Sequence, residues 1–232
     1  MGILPNHIAI IVDGNRRWTK KHNLPPLEGH QHVTDHVLEP LVFHCLKLGI
    51  PYLTFWAFST ENWQRGPKFY KPLFKLLTSV LNKGIKKYQQ AGVGLNVIGD
   101  LSRVPSPLVQ LIKKRVNQSP KNQKITVTIG LNYGGRDEIV RAVQRLRDLE
   151  IWKSRDLDIT EKEFAKHLDS ADMPDPDLII RTGGSQRTSG FMPWQTAYAE
   201  WYFTNILMPD FTISEFQKAL DEFAQRQRRF GK

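Results

Sequence analysis

The sequence predicts an α/β protein of one domain, residues 1–232, in which helices flank a mostly parallel central sheet. Short apolar runs alternate with longer segments of helical periodicity, as in proteins whose parallel strands are connected by helices. Most strand candidates are nearly continuous apolar runs, the pattern of strands buried on both faces. No internal repeat, low-complexity tract or linker divides the 232 residues, a length suited to one well-buried domain.

The elements follow one another in a regular order. The predicted strands are His7–Val12, Tyr52–Phe58, Gly94–Ile98, Ile125–Leu131 and Leu178–Arg181. The predicted helices cover about Val33–Leu48, Phe69–Tyr88, Pro107–Asn117, Arg136–Leu149, Glu161–Leu168 and Ser214–Arg228. Pro40 is expected either to bend the first helix or to lie in a first turn. The apolar stripe from Phe69 to Tyr88 predicts one long helix.

The composition is that of a soluble globular protein, with 40% hydrophobic and 24% charged residues. No run approaches the ~20 apolar residues of a membrane-spanning helix. The apolar run from Ile8 to Val12 is too short for a secretory signal, so we expect a cytoplasmic protein. The formal charge of +10 favours a polyanionic partner, which could be nucleic acid, an anionic membrane or a phosphorylated substrate.

Polar loops that carry glycine or arginine follow four of the predicted strands. They are Asp13–Trp18, Ser59–Arg65, Asn132–Arg136 and Arg181–Arg187. Ligands of parallel sheets gather beyond the carboxyl ends of the strands. We therefore expect these four loops to converge on one site.

Two of these loops have the chemistry of anion sites. Glycine lets backbone N–H groups approach an anion, a helix amino terminus adds positive potential, and the planar fork of arginine grips phosphate oxygens. Asp13–Arg17 and Arg181–Arg187 both fit, which indicates two phosphorylated substrates or one long one. The alternative for each loop is a turn whose glycine only supplies a positive φ. Neither a Walker A nor a Gly-x-Gly-x-x-Gly pattern occurs, which disfavours nucleoside triphosphates and dinucleotides.

Two acidic residues stand out because each lies in apolar surroundings. Asp13 ends an apolar strand beside arginines, where a carboxylate would repel a phosphorylated substrate unless a cation such as Mg²⁺ bridged them. Its alternative is to cap the next helix. Glu200 lies between Ala199 and Trp201, and its spacing alone indicates a buried ion-pair partner.

Several segments together resemble the signatures of the cis-prenyltransferases, the undecaprenyl diphosphate synthase family. The main ones are His7–Trp18, Ala57–Trp63, Arg181–Gly184, Arg187–Phe191 and Trp194–Glu200. Gly29-His30, Asn132–Arg136 and the closing Arg228–Gly231 also fit. The likeness runs in order through nearly the whole chain.

This resemblance implies a homodimer with a hydrophobic tunnel, and a Mg²⁺ ion held by Asp13 and Glu200. An allylic prenyl diphosphate and isopentenyl diphosphate would be the substrates, with Asn62 and Ser59 assisting the loss of the proton. The implied substrate-binding residues are Gly14, Asn15, Arg16, Arg17, Trp18, His30, Thr60, Glu61, Trp63, Arg65, Arg181, Arg187, Ser189 and Arg229. Of these, Arg181, Arg187 and Ser189 would hold isopentenyl diphosphate, and Arg229 would reach that site across the dimer interface.

The leading hypothesis is elongation of an allylic diphosphate to a cis polyprenyl diphosphate, a precursor of an undecaprenyl-type lipid carrier. A long lipid product would bring peripheral contact with a membrane. Three departures from the family pattern, Pro26, Val33 and Ser185, favour an irregular head-to-middle condensation as the rival. A basic nucleic-acid-binding protein is the alternative from another class, although no nucleic acid is expected as partner. A catalytically silent partner subunit is disfavoured because Asp13 is present.

Overall fold

A computed structural model describes residues 3–148 and 159–226. Six strands form one sheet in the order β3-β4-β2-β1-β5-β6, and all five pairings are parallel. The strands are β1 (His7–Ile11), β2 (Tyr52–Ser59), β3 (Val93–Ile98), β4 (Ile125–Tyr133), β5 (Leu178–Arg181) and β6 (Glu200–Phe203). The predicted α/β class and parallel sheet are confirmed.

Helices connect these strands. They are α1 (Asn15–Lys21), α2 (Glu28–His32), α3 (Leu38–Leu48), α4 (Pro67–Asn82), α5 (Ile85–Ala91), α6 (Ser106–Asn117), α7 (Gly135–Asp148), α8 (Glu161–Ala165) and α9 (Ile213–Gln225). Shorter turns of 3₁₀ helix cover Thr60–Arg65, Leu101–Arg103 and Met208–Asp210, and Val33–Val37 forms a π-helical turn. In the described residues, no helix combines the length and hydropathy needed to cross a bilayer.

The core is built around β1, whose five residues are all buried. Ile8 and Ile10 face a cluster that includes side chains of α3 and α9, whereas Ala9 and Ile11 pack in a separate cluster with Ile179. This alternation explains why β1 is apolar at every position, since both faces of a central parallel strand are covered. The chain leaves β1 toward β2 on one side and later returns as β5 on the other. The crevice between β1 and β5 is therefore a topological switch point, where α/β proteins bind ligands.

The predicted long helix from Phe69 to Tyr88 is wrong in one respect. The helical path breaks after Asn82, where Lys83 is extended (ψ 141°) and Gly84 is left-handed (φ 63°). α5 then begins at Ile85 and packs on β3. The apolar stripe continued across the break because apolar residues of both helices line one cavity on the same side of the sheet, so periodicity alone did not reveal the break at Gly84.

Other boundaries differ by a few residues. Pro40 lies in the first turn of α3, as one of the two predicted alternatives required, directly after the π-helical turn. α8 ends at Ala165 rather than Leu168. The strand β6 (Glu200–Phe203) was missed; β5 is equally short but fully buried and apolar in its first three residues, whereas β6 begins with a charged residue and is only partly buried. The predicted ends at Leu149 and Arg228 lie outside the described residues.

Candidate active site

Asp13 lies just beyond β1 and ties that strand to β5. Its Oδ2 atom is 3.1 Å from Nη2 of Arg181, and its Oδ1 atom is 3.1 Å from Nη2 of Arg17. Gly14 N donates to Oδ1 at 2.6 Å, and the backbone N of Asp13 donates to Oγ1 of Thr182 at 3.0 Å. The carboxylate thus has a fixed position between two guanidinium groups at the switch point.

Gly183 makes the close approach of the two loops achievable. Its φ of +79° is left-handed, and its carbonyl oxygen accepts from Nη1 of Arg17 at 2.5 Å. A Cβ on Gly183 would lie 2.5 Å from Nη2 of Arg17 and 3.1 Å from the backbone of Asp13. The glycine after Thr182 is therefore favoured by its backbone conformation, and a side chain there would displace the Arg17 guanidinium.

Arg181 is the most buried cation of the site, with only 5% of its side chain exposed. Its Nη1 atom donates to Oγ of Ser189 at 2.8 Å and to the carbonyl oxygen of Arg187. Its Nε atom is buried and has no hydrogen-bond partner among the described residues. A buried donor without a partner is costly, whereas the two Nη atoms bind Asp13 and Ser189, which also line the cavity described below.

These groups line an open cavity of about 400 Å³. Its polar walls come from the loops after β1, β2 and β5, as the sequence predicted. The predicted site residues on its surface are Asp13, Gly14, Asn15, Arg16, Arg17, His30, Ser59, Glu61, Asn62, Arg65, Arg181, Arg187 and Ser189. In the described chain no cluster of three or more His, Cys, Asp or Glu side chains could hold a metal ion. An ion at Asp13 would accordingly need oxygens from substrate and water.

Ser59 and Asn62 begin the 3₁₀ turn after β2 and cap it together. The backbone N of Ser59 donates to Oδ1 of Asn62 at 3.2 Å, and the Ser59 side chain in turn accepts from the Asn62 backbone. This reciprocal cap fixes the turn that carries Arg65 into the cavity. The guanidinium of Arg65 lies 4.9 Å from the ring centre of Phe69, over its face.

His30 reaches the same cavity from α2 as a neutral group. Burial, and to a smaller extent the cations of Arg65 and Arg16, lower its pKa from 6.5 to about 4. Its ring meets that of Phe69 edge to face at 5.8 Å. A neutral imidazole among arginines can donate or accept a hydrogen bond at pH 7 without adding charge.

Three predicted substrate-binding residues lie in packing instead. Trp18 donates from Nε1 to Oδ1 of Asp210 at 2.7 Å and is only 9% exposed. Trp63 donates to Oδ1 of Asn132 at 2.7 Å, and Thr60 faces Gly134, where an added Cβ would be 2.4 Å from its Oγ1. None of the three lines the cavity. Whether a side chain reaches the cavity depends on the face of the helical turn it occupies after the strand end, and sequence spacing does not reveal that face.

The fourth predicted loop, Asn132–Arg136, supports the site without lining it. Gly135 N donates to the carbonyl oxygen of Gly190 at 3.0 Å, which fixes the turn that follows Ser189. A Cβ at Gly135 would lie 1.9 Å from Pro193. The tight glycine pair is thus explained by the close contact of two chain segments.

Glu200 lies at the opposite end of the sheet from Asp13. It pairs in register with Leu178 at the start of β5, whereas Asp13 meets Arg181 at the end of that strand. Its Oε2 atom accepts from Nη1 of Arg226 at 2.8 Å. The two predicted magnesium ligands are therefore not brought together within one chain, because parallel β6 starts where β5 starts. The ion pair of Glu200 with Arg226 agrees with the ion-pair role that spacing alone indicated, although the side chain is partly exposed rather than buried.

Sequence reasoning missed a buried carboxylate beneath the site. Glu138 is completely buried in α7, and its oxygens accept from Oη of Tyr133 at 2.6 Å, Nε2 of Gln195 at 3.0 Å and the backbone N of Asp169 at 2.9 Å. Burial raises the pKa of Glu138. The network joins α7 to the segment that contains Ser189 and Gln195. Glu138 lies in the first turn of α7 after the glycine pair, but nothing in its spacing distinguished it from exposed helix residues.

A second, apolar cavity of about 150 Å³ adjoins the first. Ala57 of β2 lines both, so the polar site and the apolar space meet at that residue. The apolar cavity lies between the sheet and helices α3, α4, α5 and α6. Its apolar lining residues include Leu38, Val42, Phe55, Leu77, Val80, Leu81, Ile85, Val93, Val127 and Ile129. The site can thus hold an anion at one end and a hydrocarbon at the other.

Comparison with known proteins agrees with this arrangement. Residues 11–231 match the family model described as putative undecaprenyl diphosphate synthase. An isoprenyl transferase of Aquifex aeolicus is 40% identical over 229 residues, covering 99% of this chain and 96% of that protein. One of Neisseria gonorrhoeae is 42% identical over 229 residues, covering 99% and 90%.

Two solved structures share the fold. The lavandulyl diphosphate synthase of Lavandula x intermedia, in complex with dimethylallyl diphosphate, superposes with a TM-score of 0.93 at 34% identity and 99% coverage of both chains. A probable undecaprenyl diphosphate synthase of Campylobacter jejuni gives 0.82 at 33% identity and full coverage of both. The chain is thus a prenyltransferase and belongs to the cis-prenyltransferases, the undecaprenyl diphosphate synthase family.

Proposed function

We propose that this enzyme transfers an allylic prenyl group to isopentenyl diphosphate with Mg²⁺, forming a cis polyprenyl diphosphate of the undecaprenyl type. One observation carries the proposal. The arginine-bound carboxylate of Asp13 stands at the polar end of a space whose other end, beyond Ala57, is apolar. That combination suits a substrate with a charged head and a hydrocarbon tail.

The allylic diphosphate is assigned to the side of Asp13 and Arg17. Gly14 begins the turn there, Arg16 lines the same cavity, and Arg65 and neutral His30 approach from the other wall. The allylic tail would pass Ala57 into the apolar cavity. Arginine forks and the amino terminus of α1 stabilise the negative charge that develops on the departing diphosphate.

Isopentenyl diphosphate is assigned to Arg181, Arg187 and Ser189. All three line the cavity, and the Nη atoms of Arg181 hold Ser189 and Asp13 in place there. When the allylic carbon–oxygen bond breaks, the double bond of isopentenyl diphosphate attacks that carbon, and loss of a proton forms the new cis double bond. Ser59 and Asn62 line the cavity and are assigned to orient this last step.

Asp13 is assigned as the protein ligand of Mg²⁺. When bound, the ion would offset the negative charge that develops on the departing diphosphate. The residues fit an ion because the Asp13 carboxylate is about one-third exposed and because Oδ1 of nearby buried Asn15 has no partner among the described residues. In this structure Arg17 and Arg181 form ion pairs with the Asp13 carboxylate. In the proposed complex these guanidinium groups would bind the diphosphates instead. Glu200 would reach such an ion only from another copy of the chain.

A homodimer is part of the proposal. Val140 and Val143 of α7 are 56% and 51% exposed, and β6 is an edge strand of the sheet. Exposed branched apolar side chains and a free strand edge are features that a second copy would cover. Arg229, expected to act across that interface, lies outside the described residues. The molar mass in solution, measured by light scattering, tests this assignment.

The second candidate is an irregular head-to-middle condensation. Ser185, which departs from the family pattern, follows the Gly183–Gly184 turn beside the Arg181 site. The neighbour with a TM-score of 0.93 is named for a different product, lavandulyl diphosphate. Both observations concern the reaction at the shared site rather than the fold.

One product assay separates these candidates. The enzyme is incubated with dimethylallyl, geranyl or farnesyl diphosphate, with and without isopentenyl diphosphate and Mg²⁺, and the products are identified by mass and by chromatography against linear standards. We expect linear cis products that require all three components. Branched products from dimethylallyl diphosphate alone would establish the second candidate, and turnover that persists in chelator would remove Mg²⁺ from the proposal.

A further inference from the structure

The positive charge of the protein is concentrated in one segment. Residues 66–124, called the basic lobe below, contain twelve Lys and Arg residues and a single acidic residue, Asp100. The rest of the chain has 21 basic and 22 acidic residues. The lobe therefore carries a formal charge of +11, and the remainder is close to neutral at −1.

The lobe forms α4, α5, β3 and α6, and all of its lysines are exposed. They are Lys68, Lys71, Lys75, Lys83, Lys86, Lys87, Lys113, Lys114, Lys121 and Lys124. Residues outside the lobe neutralise two of them, since Asp35 lies 3.5 Å from Lys83 and Glu39 lies 2.5 Å from Lys87. In the described part of the chain the other eight lysines form no ion pair, so most of this charge faces solvent.

The apolar cavity extends into the same lobe. It leads away from Ala57, near the carboxyl end of β2, to Val93 and Gly94 at the amino end of β3. Exposed Lys83 and Gln118 also line it, so its far end reaches solvent among the lysines.

Arg115 helps to hold this end together. Its Nε atom donates to the carbonyl oxygen of Leu81 at 2.8 Å, and its Nη2 atom donates to Oδ1 of Asn82 at 2.9 Å. These bonds tie α6 to the end of α4, directly before the break that leads into α5. The far end of the cavity is thus a built feature of the lobe, and its charged lining residues are the cations Lys83 and Arg115 and the carboxylate of Glu39.

We propose that the basic lobe binds the surface of an anionic lipid bilayer, with the far end of the apolar cavity turned toward the membrane. Clustered lysines are attracted to the negative surface potential of such a bilayer, and an apolar opening between them faces the acyl region. A nucleic acid would satisfy the lysines but would leave the apolar opening without a partner. The passage of a hydrocarbon through this opening rests on the proposed function, whereas the attraction to anionic lipid does not.

Sedimentation with vesicles tests the proposal on the full-length protein. We expect binding to phosphatidylcholine vesicles that contain phosphatidylglycerol, weak binding to phosphatidylcholine alone, and loss of binding at high salt. The variant Lys86→Gln/Lys113→Gln should bind the anionic vesicles about 25-fold more weakly, at about 1 kcal/mol per lysine near the surface. The matched control is Lys47→Gln/Lys162→Gln, which removes the same charge from exposed positions outside the lobe and should bind nearly as the parent does.

Three results would overturn the proposal: equal binding to neutral and anionic vesicles, equal losses in the two double variants, or binding to single-stranded nucleic acid with none to vesicles. Prenyl transfer is measured in parallel with a short, water-soluble allylic diphosphate and without vesicles. Because neither Lys86 nor Lys113 lines either cavity, this activity should be unchanged in all variants. An inactive parent protein that still binds anionic vesicles would refute the proposed function alone.

Discussion

Oδ2 of Asp13 lies 3.1 Å from Nη2 of Arg181, which joins the carboxyl end of β1 to that of β5. The guanidinium is almost entirely buried, while the carboxylate is about one-third exposed. Both residues line the cavity, and the carboxylate is the more exposed of the two. In the proposed function the arginine would bind phosphate oxygens and the carboxylate would hold the metal.

Asp13→Asn should lower kcat by about 100-fold or more, because it removes the proposed anionic ligand of the cation with little change in shape. The fold should survive, since the amide oxygen can still accept from Gly14 N. Single-turnover rates and thermal melting measure the two effects. Near-normal turnover of Asp13→Asn would refute the metal assignment. If Asp13→Asn does not fold, kcat of Asp13→Glu, which keeps the carboxylate, becomes the test.

Arg181→Lys should raise KM for isopentenyl diphosphate on the order of tenfold, equivalent to one charge-assisted hydrogen bond. Lysine keeps the charge but lacks the planar fork with which Arg181 contacts Asp13 and Ser189. KM for the allylic substrate should change less. Steady-state kinetics with each substrate varied in turn measure both constants, and a larger effect on the allylic KM would reverse our assignment of the two anion sites.

Much of this site could be predicted because the strand ends determine it. The apolar runs of β1, β2 and β5 are continuous, so Asp13, Ser59 and Arg181 necessarily start loops at one edge of a parallel sheet. The direction of each side chain after that point was not predictable. Trp18 is four residues from Gly14 but lies on the inner side of α1, where it reaches Asp210, a residue 192 positions away.

The placement of Glu200 shows a different limit. Its spacing predicted an ion pair correctly, although the carboxylate is only partly buried, but which end of the sheet it occupies depends on the register of a partly buried edge strand. Such a strand gives little periodic signal. The buried network of Glu138 was equally hidden, because its partners Tyr133, Asp169 and Gln195 come from separate segments of the chain.

Glu200→Gln separates the structural role of this carboxylate from the metal role. If Glu200 serves Arg226, the variant should lose at most about 1 kcal/mol of stability, because the pair is partly exposed. Its Mg²⁺ requirement should then match the parent. The control is Glu222→Gln, which removes the other carboxylate bound to Arg226. A Mg²⁺ concentration for half-maximal activity that rises in Glu200→Gln and not in the control would show that a second subunit brings Glu200 to the ion.

His7 predicts a pH dependence of stability. Its Nε2 atom meets Oγ1 of Thr54 at 2.8 Å, its Nδ1 atom meets the carbonyl oxygen of Pro174 at 2.7 Å, and burial lowers its pKa from 6.5 to about 4. Between pH 6.5 and pH 4 the His7 side chain is protonated in the unfolded chain and neutral in the folded chain. Stability should therefore fall by about 3 kcal/mol as pH drops from 7 to 4.

Urea denaturation at pH 7 and pH 4.5 measures this slope in the parent, in His7→Gln and in His36→Gln. The exposed His36 serves as the control. We expect the His7 variant to be less stable at pH 7 but to lose less on acidification, since glutamine does not titrate. An unchanged slope in His7→Gln would assign the acid sensitivity to other groups.

Gly183→Ala tests the close contact between the loops after β1 and β5. Gly183 and Gly49 have nearly the same left-handed φ, +79° and +76°, so alanine should cost about 1–2 kcal/mol at either position from backbone strain alone. A Cβ at Gly49 meets nothing within 4 Å, whereas at Gly183 it would lie 2.5 Å from Nη2 of Arg17. Gly49→Ala should therefore lose stability and keep its kcat, while Gly183→Ala should lose more stability and also turnover, because Arg17 must move away from Asp13. Urea denaturation and steady-state kinetics measure the two quantities, and equal losses in both variants would mean that the contact of Gly183 with Arg17 contributes nothing beyond its backbone conformation.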